Sequence, residues 1–414
     1  MGDFVAALLI VAATAAPPDF SRDANLNVLA PGGALYETTV AISGNNAVIA
    51  VINHNDSHPI DVFVSRDRGL TWSAPIEMPS TIDGKSFRYA TDPTLAVLDD
   101  GSFGLGYLVI ANPPTITSTL GEERLLFSRS TDGITWSAPV TVASGISGYA
   151  PFIDRPWLSV DRIRGGVFAT WGRTESTATG EDMVFQISVD RGVTWSAATP
   201  ISAKGEGLGQ LVPLPNGSLV AVDYSASQRA YVARYSSSNG AFWSAPQAIG
   251  DASGTQISPG TKTESPPLPI LTAYGADLYC VLPTANAIFF TRSRDGGKTW
   301  SPRLQLAGAK GDAVLPSLAV DDASGAIFVS WMDGRDDPAN ATLRLYGTRS
   351  TDGGATFEAP RAFSSPFTGG GRIADTEGMV ALGDGAALKA FSPSGGYMTA
   401  ARLSFVTRRR AANH

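Results

Sequence analysis

The octapeptide Ser65-Arg66-Asp67-Arg68-Gly69-Leu70-Thr71-Trp72 recurs along the chain. It returns as Ser188-Val189-Asp190-Arg191-Gly192-Val193-Thr194-Trp195 and as Ser293-Arg294-Asp295-Gly296-Gly297-Lys298-Thr299-Trp300. A fourth copy, Ser350 to Phe357, closes on Phe. A fifth, Ser130-Thr131-Asp132-Gly133-Ile134-Thr135-Trp136, is one residue shorter, and a sixth, Ser236 to Trp243, carries Ser238 for the Asp and Phe242 for the Thr. The closing aromatics are Trp72, Trp136, Trp195, Trp243, Trp300 and Phe357, spaced 48 to 64 residues apart. Self-similarity at such a period marks a repeat architecture. Asp and Ser/Thr side chains bond to nearby backbone in turns, Gly supplies positive φ without strain, and an indole fills a gap between packed layers. The box therefore reads as a turn-stabilising device rather than a catalytic site.

The surroundings of each box repeat as well. An apolar run precedes it, as at residues 60–64 and 287–291, and a short run such as 139–142 follows. Upstream lies a hairpin signature: Thr94 to Leu98, then Asp99-Asp100-Gly101-Ser102, then Phe103 to Tyr107. Residues 213–220 and 317–329 repeat it. Each unit thus holds four short strands with the box between the third and fourth, and such units set around an axis make a β-propeller. The boxed units run roughly 35–80, 90–145, 150–203, 205–250, 262–308 and 312–364. Beyond them, residues 378–382, 386–390 and 398–405 read as three more strands, and Ala24 to Ala30 can supply the fourth. The expectation is an all-β propeller of four-stranded antiparallel blades, seven favoured over six, with the ring closed by an N-terminal strand.

The repeat resembles the Asp-box, or bacterial neuraminidase repeat, of the sialidase-like propeller superfamily, over residues of about 35 to 364. The resemblance implies a glycan-directed protein. Sialidases use three arginines on the substrate carboxylate, a Tyr nucleophile assisted by a Glu, and an Asp acid/base; guanidinium forks match carboxylates. Their first arginine sits in Arg-Ile-Pro or Arg-Leu-Pro before the first box, but residues 33–40 here contain no Arg. The nearest look-alike is Asp154-Arg155-Pro156-Trp157, two blades later.

Composition bounds the rest. Among 414 residues there are 44 Gly and 27 Pro, 43% are hydrophobic and 17% charged, which fits many tight turns between buried strands. The net charge of −7 gives no nucleic-acid footprint. Three His and one Cys exclude a Cys/His zinc module and a disulfide framework. Val5 to Ala16 is an apolar run of signal-peptide length, too short for a stable membrane span, although Asp3 stands where a basic residue is usual. The expected organisation is a signal-like segment at 1–17, one propeller domain at 18–407 and a basic tail at 408–414. If the first segment is a signal peptide, the protein is secreted or periplasmic.

Function in a propeller gathers where the first strands begin, opposite the boxes. An acidic residue stands at or near that point in every unit, including Asp92, Asp154, Glu206 and Glu264. Converging carboxylates raise one another's pKa and can supply an acid/base pair; they can also hold calcium. Asp92, Asp154, Glu206, Glu264 and Tyr224 are the candidate catalytic residues. Arg155, Arg173, Arg335, Arg372 and Trp157 are the candidate substrate-binding residues. No metal ligands are assigned, and no cofactor beyond an optional calcium is expected; His54, Asp56 and His58 read as a solvated loop. A glycan or glycoconjugate is the expected partner. A glycoside hydrolase using paired carboxylates and a non-catalytic propeller binding a glycan or a protein both stay open.

Overall fold

The computed structural model describes residues 28–29, 35–53, 60–79, 81–111, 121–147, 151–174, 180–252, 261–262, 268–284, 286–308, 310–339, 341–368, 371–372, 377–392 and 397–405. All regular elements among them are strands. Blade 1 comprises Leu35–Ser43, Asn46–Asn53, Ile60–Ser65 and Ile76–Glu77. Blade 2 has Lys85–Val97, Phe103–Ala111, Gly121–Ser130 and Val140–Ser147, and blade 3 has Phe152–Asp161, Gly166–Thr174, Asp182–Ser188 and Thr199–Pro200. Blade 4 is Gly209–Pro213, Leu219–Ser225, Ala230–Ser236 and Gln247–Asp251; blade 5 is Ile270–Tyr274, Asp277–Pro283, Ile288–Ser293 and Leu304–Ala307. Blade 6 is Ala313–Val320, Ile327–Asp333, Thr342–Ser350 and Arg361–Ala362. Blade 7 has Met379–Ala381, Ala386–Phe391 and Tyr397–Ser404, and its fourth strand is N-terminal: Val28 pairs with Met398 and Leu29 with Tyr397. The molecule is a seven-bladed propeller of four-stranded antiparallel blades, closed by its N-terminal strand.

The box explains how each blade is locked. Ser65 Oγ donates to Asp67 Oδ1 (2.7 Å) and accepts the Gly69 N–H (2.7 Å). Asp67 in turn accepts the Thr71 N–H (2.8 Å) and the Thr71 hydroxyl (2.6 Å), and Trp72 Nε1 donates to Gly69 O (3.2 Å). The serine, aspartate and threonine bonds recur at Ser188, Ser293 and Ser350, and the indole bond recurs at Trp195 and Trp300. The closing aromatic then packs on the third strand of the preceding blade. Trp195 meets Phe127 edge-on at 5.4 Å, Trp243 meets Phe185 at 6.2 Å, and Phe357 meets Phe290 at 4.9 Å. At Gly192, φ is +90° and a Cβ would lie 1.9 Å from the Phe127 ring, so glycine serves both the turn and the close blade contact.

The core lies between blades. One cluster joins Val48, Val62 and Val64 of blade 1 to Phe103, Leu105 and Val109 of blade 2. Another joins blade 6, through Phe328 and Leu345, to Ala387, Phe391 and Leu403 of blade 7. Cys280 is fully buried in the blade 4–5 core, where burial pushes its thiol well up. No helix among the described residues is long and apolar enough to cross a membrane.

Candidate functional site

The first strands of all seven blades line a central channel of about 740 Å³. Four of these strands are interrupted at the same level. Their register shifts between Tyr36 and Thr38, Thr91 and Thr94, Asp154 and Trp157, and Val314 and Ser317. The bulged residues Glu37, Asp92, Arg155 and Leu315 take left-handed φ values of 49°, 50°, 47° and 52°. Three of them precede a proline, Pro93, Pro156 or Pro316, which has no N–H for the ladder. Side chains held in sparsely populated backbone regions cluster at binding and catalytic sites.

Two of these bulges sit beside an acidic cluster where blades 2 and 3 meet. Asp92, Arg155 and Trp157 line the channel. Asp154 adjoins Arg155 and is hydrogen-bonded to Glu181, which precedes the third strand of blade 3. Burial, reinforced by the Asp154 charge, pushes the Glu181 carboxyl up to about 7, with Arg155 pulling the other way. Glu123, on the third strand of blade 2, is 1% exposed and accepts the Ile153 N–H at 3.0 Å. Burial pushes Glu123 up to about 8 against that hydrogen bond, and the Asp154 and Asp92 charges add to the rise. Glu37 Oε2 accepts the Asp92 N–H at 3.1 Å, tying blade 1 to the same place. Four carboxyls and one guanidinium thus converge: Asp92, Glu123, Asp154, Glu181 and Arg155. Such an arrangement can hold a proton at neutral pH beside an ionised carboxylate.

The other candidate residues lie elsewhere. Glu206 accepts from Ser225, and although burial opposes it, the Ser225 and Ser227 hydroxyls lower its pKa. The described hydrogen bonds join Glu206 to those serines and not to Tyr224, whose ring packs edge-on against Tyr231 at 6.5 Å. Arg173 pairs with Asp182 at 2.8 Å within blade 3. Arg335 pairs with Asp333 at 2.6 Å within blade 6 and lies 4.5 Å over the Tyr346 ring. Arg155, Arg173 and Arg335 are therefore not gathered on one pocket; of these three, Arg155 lines the channel. Arg372 pairs through its backbone with Lys262, and its side chain, Glu264 and the His54–His58 loop lie outside the described residues. At the start of blade 7, Glu377 and Lys389 form a fully buried pair at 2.9 Å. Among the described residues no group of three or more His, Cys, Asp or Glu is arranged to hold a metal ion.

Glu123 and Glu181 were not among the sequence candidates. Their signal is the acidic pair opening a third strand, Glu122-Glu123 and Glu181-Asp182. In an antiparallel blade the third strand starts on the same face as the first, so both starts bear on the mouth.

A family model described as BNR repeat-like domain matches residues 125–335. Among solved structures, the alpha-L-arabinofuranosidase Arb93A from Fusarium graminearum, in complex with an iminosugar inhibitor, is 16% identical with a TM-score of 0.54, covering 92% of this chain and 98% of that one. The Penicillium chrysogenum alpha-L-arabinanase complexed with arabinobiose is 16% identical with a TM-score of 0.53, covering 92% of this chain and 97% of that one. The Hadza microbial sialidase Hz136 is 15% identical with a TM-score of 0.50, covering 86% of this chain and 76% of that one. These likenesses show the fold. No curated protein matches.

Proposed function

The chain belongs to the BNR repeat-like domain family, and from that premise we propose that it is a glycan-acting propeller whose mouth at blades 2 and 3 hydrolyses a glycosidic bond. The observation that carries this reading is the hydrogen-bonded Asp154–Glu181 pair beside Asp92 and Arg155. Glycoside hydrolysis needs one carboxylic acid that still holds its proton and one ionised carboxylate across the scissile bond. Two hydrogen-bonded carboxyls are closer than the roughly 5–9.5 Å that separates an acid from its nucleophile or base. Asp154 and Glu181 therefore act as one proton-holding unit, with Glu181 giving its proton to the leaving oxygen. Asp92, on its own bulge and facing the channel, is the ionised partner. Arg155 balances the charge of both, and the half-buried Trp157 offers a face for a sugar ring.

A neutral sugar fits this site better than a sialoside, because Arg173 and Arg335 are committed to Asp182 and Asp333. The similar solved structures include arabinan-acting enzymes as well as a sialidase, so the α-L-arabinofuranoside is the first substrate to try. The test is a panel of aryl glycosides, that arabinofuranoside and a sialoside included, with native protein, Glu181→Gln and Asp154→Asn. Hydrolysis of a neutral glycoside that falls about 10²–10⁴-fold in Glu181→Gln supports the reading. Inactivity across the panel together with glycan-array binding replaces it with a non-catalytic lectin-like propeller.

A further inference from the structure

The channel wall changes character with depth. Toward the mouth it carries Asp92 and Arg155. Toward the box face, each blade contributes at least one apolar side chain that is neither fully buried nor free. Blades 1 to 3 supply Ile42, Val97 and Val160. Blades 4 to 7 supply Pro213, Ala273, Val320 and Ala381. The repeat itself sets this level. In the six boxed blades the collar residue pairs with a buried second-strand residue, which pairs with the box serine. Val160, Val167 and Ser188 are one such row, and Val320, Ile327 and Ser350 another. The collar therefore lies at the depth of the box serines, at the far end of the channel from the carboxyl cluster. Beneath it Arg162 of blade 3 and Asp322 of blade 6 meet at 2.8 Å, joining turns three blades apart across the channel.

The volume of about 740 Å³ lies within the range of roughly 300–1,000 Å³ typical of small-molecule sites. A ring of apolar side chains around one axis leaves apolar surface that a hydrophobic group would remove from water. A space enclosed by seven blades admits one chain end-on and excludes a flat surface. We propose that the channel is an aglycone site: it takes the alkyl or aryl group of an amphiphilic glycoside whose sugar is held at the carboxyl cluster. The sugar end of this inference rests on the glycan reading of the mouth; the apolar end stands on the collar alone.

The test is calorimetric binding of 1-butanol through 1-octanol, and of n-butyl through n-octyl α-L-arabinofuranosides below their micelle concentrations, to the full chain. A methylene that reaches apolar wall is worth about fourfold in Kd, so Kd of the alcohols should fall about fourfold per added carbon. Ala381→Phe and, separately, Ala273→Phe fill the collar and should flatten that slope, with thermal unfolding confirming that each variant folds. A Kd independent of chain length, or a slope that survives in both folded variants, overturns the inference. If the alcohols show the slope but no arabinofuranoside binds more tightly than the alcohol of equal length, the collar stands and the sugar subsite is refuted. Hydrolysis of aryl glycosides without any chain-length slope has the opposite meaning.

Discussion

The carboxylates of the two faces are the same chemical group driven in opposite directions. On the box face, the Thr194 hydroxyl, the Thr194 N–H and the Ser188 hydroxyl hold Asp190 down to about 2. Asp67 and Asp295 reach about 2 as well, against some burial, through the equivalent threonine and serine bonds. At the mouth, burial and like charges push Glu181 up to about 7 and Glu123 to about 8. A carboxylate wrapped in hydrogen-bond donors is kept ionised and braces a turn. One crowded by other carboxylates in a drier place keeps its proton and can give it away.

The most drastic way to break this contrast is at Glu181. Glu181→Gln is expected to lower kcat/KM by about 10²–10⁴-fold and to remove the limb near pH 7 from the pH–rate profile, while the unfolding midpoint stays in place. Steady-state kinetics across pH 5 to 9 and a thermal melt check this together. Next comes the buried pair of blade 7. Glu377 is as buried as Glu123 but has Lys389 beside it, so Lys389→Met should strand a buried carboxyl and cost about 3–5 kcal/mol in urea unfolding. Adding Glu377→Leu should recover much of that loss. If Lys389→Met is silent, burial alone does not penalise the mouth carboxyls as described.

Ser293→Ala probes the box face. It removes the hydroxyl that accepts the Gly297 N–H, leaving a buried donor unmet, for about 1–3 kcal/mol of stability with no change in mouth kinetics. The smallest effect is in the pH dependence of stability. The box aspartates have lowered folded values, so their contribution is full above an unfolded pKa of about 3.9 and disappears as pH falls through about 2. Glu123 has a raised folded value, so its contribution is full below about 4.3 and disappears as pH rises through about 8. Glu123→Gln, whose amide oxygen can still accept the Ile153 N–H as Gln210 accepts the Leu271 N–H, should flatten only the upper arm of a stability-versus-pH curve.

Several features are legible in the sequence alone. The box positions located the ends of the third strands, the hairpin turns located the first two, and the three strands left over after Phe357 demanded a fourth from the N-terminus. Arg335 beside Asp333 also reads from the sequence, because the pairing residues are two apart. The partners of Asp154 do not. Glu181 is 27 residues away and Glu123 is 31 residues away in a different blade, and neither belongs to a repeated motif. The left-handed bulges at Asp92 and Arg155 hide for a related reason: a residue before proline normally favours extended backbone, and only the surrounding ladders hold it otherwise.

By itself, then, the sequence determined the repeat, the strand order, the seven-blade ring and the bonding inside each box, because those contacts close within four or five residues and are rewritten in every copy. The tertiary structure alone decided which carboxyls are bonded to one another and which are bonded to serines. It also decided that Arg155, unlike Arg173 and Arg335, reaches the channel and that seven separate side chains meet as one collar. Those outcomes depend on the angle and depth at which neighbouring blades bring distant strands together, and that geometry is set by the packing between blades rather than by any local stretch of chain.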